Sequence, residues 1–138
     1  MKKLLLFLTI ALLTGCKEKN SLAPENDIVG KWRLISYCQA SGGLISGCFQ
    51  VTIPTDKAVY VEFSSKGAFN ETYKNTIPAD YAFLGCGMGS YEIEEGKVRI
   101  RAMCMSSLAG KLVEINTLTS KKLILQPFPK TEYIFEKQ

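Results

Sequence analysis

Three observations predict that this chain is all-β, a small barrel or sandwich built from nine short strands. From Ile28 onward, no stretch holds apolar side chains at the i, i+3, i+4, i+7 spacing of an amphipathic helix. Short alternating runs rich in Val, Ile, Phe and Tyr recur instead, punctuated by Gly, Pro and Asn. Successive runs are also close enough to be joined as hairpins, which makes a meander of neighbouring strands.

The N-terminal segment, residues 1–15, reads as an export signal. Lys2 and Lys3 precede the apolar run Leu4 to Leu13, which breaks at Thr14-Gly15-Cys16 and is stopped by Lys17, Glu18 and Lys19. A membrane-spanning helix needs about 20 apolar residues, and this run is too short. Residues 16–27 are polar and contain Pro24. They read as a flexible tether whose coil would reach roughly 18 Å, leaving residues 28–138 as one domain.

The strand runs are Lys31 to Tyr37, Phe49 to Ile53, Ala58 to Phe63, Ala68 to Lys74, Ser90 to Glu94, Lys97 to Arg101, Leu112 to Leu118, Lys121 to Leu125 and Thr131 to Glu136. The clearest hairpin turns at Glu95-Gly96, which sets Glu94 opposite Lys97, Ile93 opposite Val98, Glu92 opposite Arg99 and Tyr91 opposite Ile100. Apolar residues then face in and charged residues face out, and a one-residue slip would bury the charges. A second hairpin turns over Ser64 to Gly67 between Phe63 and Phe69, and a third over Leu118 to Lys121. Alternation makes Val59, Val61, Phe63, Tyr91, Ile93, Val98, Ile100, Leu123 and Leu125 the lining of the lumen. Glu71 falls in phase with Phe69 and Tyr73, either at the rim or pointing into a cavity.

Chemistry is read largely by exclusion. The 138-residue chain has 17 basic and 13 acidic side chains, 46% hydrophobic residues and no histidine. That removes Ser-His-Asp and Cys-His nucleophile systems and His-ligated zinc, and no basic arm suggests nucleic acid. The carboxylates Glu92 and Glu94 face Arg99 and Lys97 rather than one another, unlike a glycosidase pair. The glycines of Gly85-Cys86-Gly87-Met88-Gly89 precede a strand, so they read as a bulged strand start rather than a phosphate loop. Met103 and Met105 flank Cys104; they suit adaptable packing, with a soft-metal site as the other reading. No enzyme activity, cofactor or metal is expected. In an oxidising compartment Cys38, Cys48, Cys86 and Cys104 would pair. Cys38 with Cys48, and Cys86 with Cys104, are favoured, because the first pair flanks the loop Gln39 to Gly47 and the second sits at the open end of the best hairpin. Strict register turns Cys86 and Cys104 to opposite faces, so their bond requires a bulge at Gly85, Gly87 or Gly89.

Two resemblances carry the reading further. Leu13-Thr14-Gly15-Cys16 resembles the lipobox of bacterial lipoproteins. It implies that Cys16 becomes the diacylated N-terminus and anchors the domain, and Lys17 at the next position favours the outer membrane. Gly30-Lys31-Trp32, with Glu62-Phe63, Gly67-Ala68-Phe69, Tyr91-Glu92-Ile93, Leu123-Ile124-Leu125 and Tyr133-Ile134-Phe135, resembles the small lipocalin-like lipoproteins of Bacteroidetes. That resemblance implies a small antiparallel up-and-down β-barrel of eight to nine strands, with Gly30 and Trp32 forming the motif that plugs its closed end. Lipocalins commonly stack a late arginine on that tryptophan, where this chain offers Lys137. Gly85-Cys86, Gly89-Ser90-Tyr91 and Ala102-Met103-Cys104 are also similar to the META/HslJ lipoprotein domain, and both families imply a disulfide-bearing β domain on a lipid tether.

The expected function is therefore non-enzymatic: a lipid-anchored envelope barrel whose apolar lumen takes a small hydrophobic ligand. The alternative is an interaction module that contacts an envelope protein through the loops Gln39 to Gly47 and Thr76 to Leu84. Tyr81 and Phe83 in the second loop are either an exposed anchor or a lid folded back on the barrel.

Overall fold

The computed structural model describes residues 28–40 and 47–138. The export signal, Cys16, the tether and most of the loop Gln39 to Gly47 lie outside the described residues. Within them the chain forms β1 (Gly30–Ala40), β2 (Cys48–Thr52), β3 (Ala58–Phe63), β4 (Ala68–Lys74), β5 (Met88–Glu94), β6 (Lys97–Ala102), β7 (Lys111–Leu118), β8 (Lys122–Gln126) and β9 (Tyr133–Lys137). Every neighbouring pair is antiparallel, in the order β2-β1-β3-β4-β5-β6-β7-β8-β9, and β9 pairs back onto β1. Eight strands thus close a barrel, with β2 as an additional strand.

The extra strand follows from the length of β1. Its first residues, Gly30 to Arg33, pair with β3, and its last, Ser36 to Ala40, pair along the same edge with β2. The Cys38–Cys48 disulfide ties β1 to β2 with Cα atoms 5.4 Å apart, the expected pairing.

The β5–β6 ladder has the register read from the sequence: Tyr91↔Ile100, Glu92↔Arg99, Ile93↔Val98 and Glu94↔Lys97. At the turn both Glu95 (φ 49°) and Gly96 (φ 80°) are left-handed, as a two-residue I′ turn demands. The ion pairs form differently from the expectation of directly opposed partners. Arg99 reaches diagonally to Glu94 (Nη2–Oε2 2.7 Å), Arg101 takes Glu92, and Lys97 crosses to Glu114 on β7 (2.6 Å). Long side chains on a twisted sheet reach the diagonal neighbour as readily as the opposite one. Arg99 holds the Glu94 carboxyl below the usual carboxylate range.

Trp32, Leu34, Val59, Val61, Phe63, Val98, Ile100, Val113, Leu123, Leu125 and Phe135 all have 0% exposure and form one cluster down the barrel axis. Tyr91 and Ile93 pack half-buried against that cluster. The residues that alternation turns inward lie in or against this cluster, and the ligand-sized lumen of the leading reading is not found against them. Side chains without accessible surface leave no water-sized space against them, so the described interior is filled, the usual outcome when eight strands close.

Candidate functional site

The two ends of the barrel differ in chemistry. At the end where β1 begins, Trp32 is wholly buried and its indole Nε1 donates to the Ile28 carbonyl at 2.8 Å. The Lys137 ammonium lies 4.4 Å from the Trp32 ring centroid and donates to the Val29 carbonyl at 2.5 Å. Lysine thus covers the plug where lipocalins commonly place arginine, and a cation over an indole face supplies the same attraction.

At the far end, Glu71 decides the geometry. It was in phase with the inward residues of β4, and of its two readings the structure selects the interior: it is 3% exposed. Its Oε1 accepts from the Phe83 backbone N–H (2.7 Å) and the Tyr73 hydroxyl (2.7 Å). Its Oε2 accepts from the N–H groups of Leu84 and Gly85 (both 3.0 Å). A buried carboxylate needs such a set of donors to offset lost hydration. In return it pins residues 83–85 across the mouth of the barrel. Burial, with the adjoining Glu71 carboxylate as the next cause, raises the Tyr73 phenol well above the ordinary tyrosine value.

That pinning settles the two readings of Tyr81 and Phe83. Phe83 is a lid residue and not an exposed anchor. It is buried, with its ring edge-on to Tyr133 and Phe135 at 5.3 and 5.4 Å between centroids. Tyr81 is half-buried against the core with Lys57 5.4 Å from its ring. Tyr37 and Tyr133 stack at 5.0 Å beside the lid, and burial raises both phenols.

The second disulfide fixes the other end of the lid. Cys86 and Cys104 are bonded, with Cα atoms 5.1 Å apart. The ladder stops at Gly89↔Ala102, and Gly85 and Gly87 take φ of 73° and 65°, so Cys86 leaves the strand register as the bond requires. Beside this bond is an open recess of about 340 Å³. Leu84, Cys86, Cys104, Met105 and Phe128 give it apolar walls, with Ser106, Ser107 and the cationic Lys111 as polar members. Met105 lines it, whereas Met103 is 81% exposed on the same loop. The exposed large hydrophobic residues among those described are Phe49, Ile77, Met88, Met103, Leu108, Leu112 and Phe128. All lie in far-end loops or within two residues of them. Sequence reasoning missed this rim because each residue is isolated in its own segment, and it missed the Glu71 cradle because the partners are backbone amides.

A closed antiparallel barrel, plugged at one end by a tryptophan and lidded at the other, is the architecture of the lipocalin class. The family model described as a lipocalin-like domain matches residues 28–125, so the chain belongs to the lipocalin-like domain family. Among solved structures, a lipocalin-like protein from Bacteroides uniformis ATCC 8492 is similar to it: TM-score 0.53 and 18% identity, covering 81% of this chain and 99% of that one. At that identity the likeness shows the fold alone. A second structure, an uncharacterized protein from Bacteroides eggerthii DSM 20697, has a TM-score of 0.42 at 18% identity, covering 81% of this chain and 100% of that one. No curated protein matches the chain. Lipocalin-like domains are in general a non-enzymatic binding fold, and this barrel supports a role in binding a small ligand.

Proposed function

We propose that the chain is an exported, Cys16-lipidated envelope protein, on the outer membrane, that binds a small hydrophobic ligand without transforming it. The ligand site is the far-end recess rather than the barrel axis. The observation that carries this reading is the pairing of a filled axis with an apolar-walled recess of about 340 Å³ beside the Cys86–Cys104 bond, a volume within the usual range for small-molecule sites. Leu84, Met105 and Phe128 would supply the apolar contact and the hydroxyls of Ser106 and Ser107 the orientation. Lipidation at Cys16 would hold the barrel at the membrane, since two or more acyl chains anchor a protein stably.

The test is displacement of a fluorescent fatty acid, with native mass spectrometry, on protein lacking residues 1–15 and carrying Ser at position 16. Saturable binding that Met105→Glu weakens at least tenfold supports the reading. Absence of binding across apolar ligands ends it. Labelled-palmitate incorporation that is lost on Cys16→Ser tests the anchor.

A second reading, a protein partner such as an inhibited or co-assembled envelope protein, is favoured by the exposed apolar side chains around the rim. Pull-down from envelope extract with Leu108→Glu separates the two, because Leu108 is 97% exposed and is not among the recess walls.

A further inference from the structure

Lys111 stands on the inward row of β7. It pairs with Ile100, and the next inward residue, Val113, pairs with Val98; Val98, Ile100 and Val113 are all wholly buried. Alternation turns Leu112 and Glu114 outward, where both are exposed. A lysine has therefore taken the mouth-side position of a row that is otherwise aliphatic. The turn that leads into it is fixed, because the Gly110 N–H donates to the Ser107 carbonyl at 3.0 Å and Arg99 Nη1 donates to the Ala109 carbonyl at 3.0 Å.

The Lys111 side chain is half-buried along the wall of the recess, with its ammonium 4.0 Å from the centroid of the Phe128 ring. A ring face attracts the cation but offers no acceptor oxygen, so the donors of the ammonium stay available. Among the described residues no carboxylate pairs with it. The ion pairs there belong to Lys57, Lys97, Arg99 and Arg101, Glu114 is taken by Lys97, and no Asp or Glu lines the recess. Glu71, at the same end of the barrel, already accepts from four donors. The recess thus holds a positive charge without a counter-charge, beside apolar walls. A neutral apolar ligand would strip water from the ammonium and return nothing, and a cationic one would be repelled. An acidic head would replace the lost water with a charge-assisted hydrogen bond.

We infer that the recess selects acidic amphiphiles: a short apolar tail lies against Leu84, Met105 and Phe128, and a carboxylate head accepts from Lys111 Nζ. This rests on the recess being the ligand site and adds the charge of the ligand and the residue that reads it.

The test uses the protein lacking residues 1–15 with Cys16→Ser, which retains every strand of the barrel and keeps detergent, itself an amphiphile, out of the assay. Displacement of the uncharged probe N-phenyl-1-naphthylamine is titrated with decanoate, decanol and decylammonium at neutral pH. Decanoate should displace the probe at roughly tenfold lower concentration than decanol, with decylammonium weakest. Lys111→Met, which keeps an apolar stem, should close the gap between acid and alcohol while decanol still binds, and Lys111→Arg should preserve the gap. In the unsubstituted barrel the Lys111 Cε–H resonance should move with decanoate and stay in place with decanol, a readout that does not depend on whether Lys111→Met folds. Equal affinity for decanoate and decanol, a gap that survives Lys111→Met, or an unmoved Lys111 resonance overturns the inference; sensitivity of both ligands to Met105→Glu then shows that the recess itself still stands as the site. No displacement by any of the three overturns the recess reading and this inference together.

Discussion

Replacing Glu71 by alanine should unlock the barrel mouth. The carboxylate accepts four hydrogen bonds, from the N–H groups of Phe83, Leu84 and Gly85 and from the Tyr73 hydroxyl, at 2.7 to 3.0 Å. Hydrogen bonds to a charged acceptor contribute about 1.5–3 kcal/mol each, but those to the half-buried donors are partly recoverable from water once the lid loosens. The expected cost is therefore about 3–5 kcal/mol, in the range for breaking a buried charged network from one side. Glu71→Gln keeps the shape and one acceptor oxygen but turns an amide donor toward backbone donors, so about 2 kcal/mol is expected. Urea unfolding gives the global value. Hydrogen exchange at the amides of residues 83–85 gives the local one, and these amides should lose protection before β3 and β6 do. The Cys86–Cys104 bond keeps the loosened lid attached, so the fold itself should persist. A loss below about 1 kcal/mol for Glu71→Ala, or unchanged protection at residues 83–85, would refute the view that this carboxylate holds the lid.

Four further outcomes follow from the same geometry. Lys137→Met should cost about 1–2 kcal/mol, through the lost cation–π contact and the unpaired Val29 carbonyl, and should leave the far-end recess unchanged in ligand titrations. Replacing Cys86 and Cys104 by Ala should lower stability by about 3 kcal/mol on loop-closure grounds, measured by urea unfolding, and raise exchange at the lid. The ion pair of Lys97 with Glu114 is exposed, so a double-mutant cycle should return less than about 1 kcal/mol. In alkaline titration, Tyr37, Tyr73 and Tyr133 should stay protonated past the ordinary tyrosine value, because burial raises all three in the folded state. A raised folded pKa contributes stability that is present below the unfolded value near 10 and lost above it. Phenolate absorbance should therefore climb together with unfolding, and early ionisation of all the tyrosines in a folded protein would contradict this burial.

Much of the fold was legible because its signals are local. The alternation of Tyr91, Ile93, Val98 and Ile100 around Glu95-Gly96 fixes register within one hairpin, and the structure shows the same register pair for pair. Both disulfides are the pairings favoured from the flanked loop and the open hairpin end, though four cysteines allow three pairings, and the glycines beside Cys86 supply the departure from register that one of them needs.

The candidate site was less legible, because it is assembled across the barrel. Glu71 lies in phase with Phe69 and Tyr73, which points it inward, but three of its four partners are backbone amides more than ten residues away that carry no side-chain signal. Phe83 reads equally well as anchor or lid until those amides are placed. The sequence alone determined strand rhythm and inward faces, since each depends on periodicity, and it favoured the cysteine pairing that the structure then decided. Only the tertiary structure decided that the axis is filled, that charges pair diagonally and that apolar residues from separate loops gather at one rim. Packing volume, sheet twist and loop convergence are properties of strands brought together, and no single segment carries them.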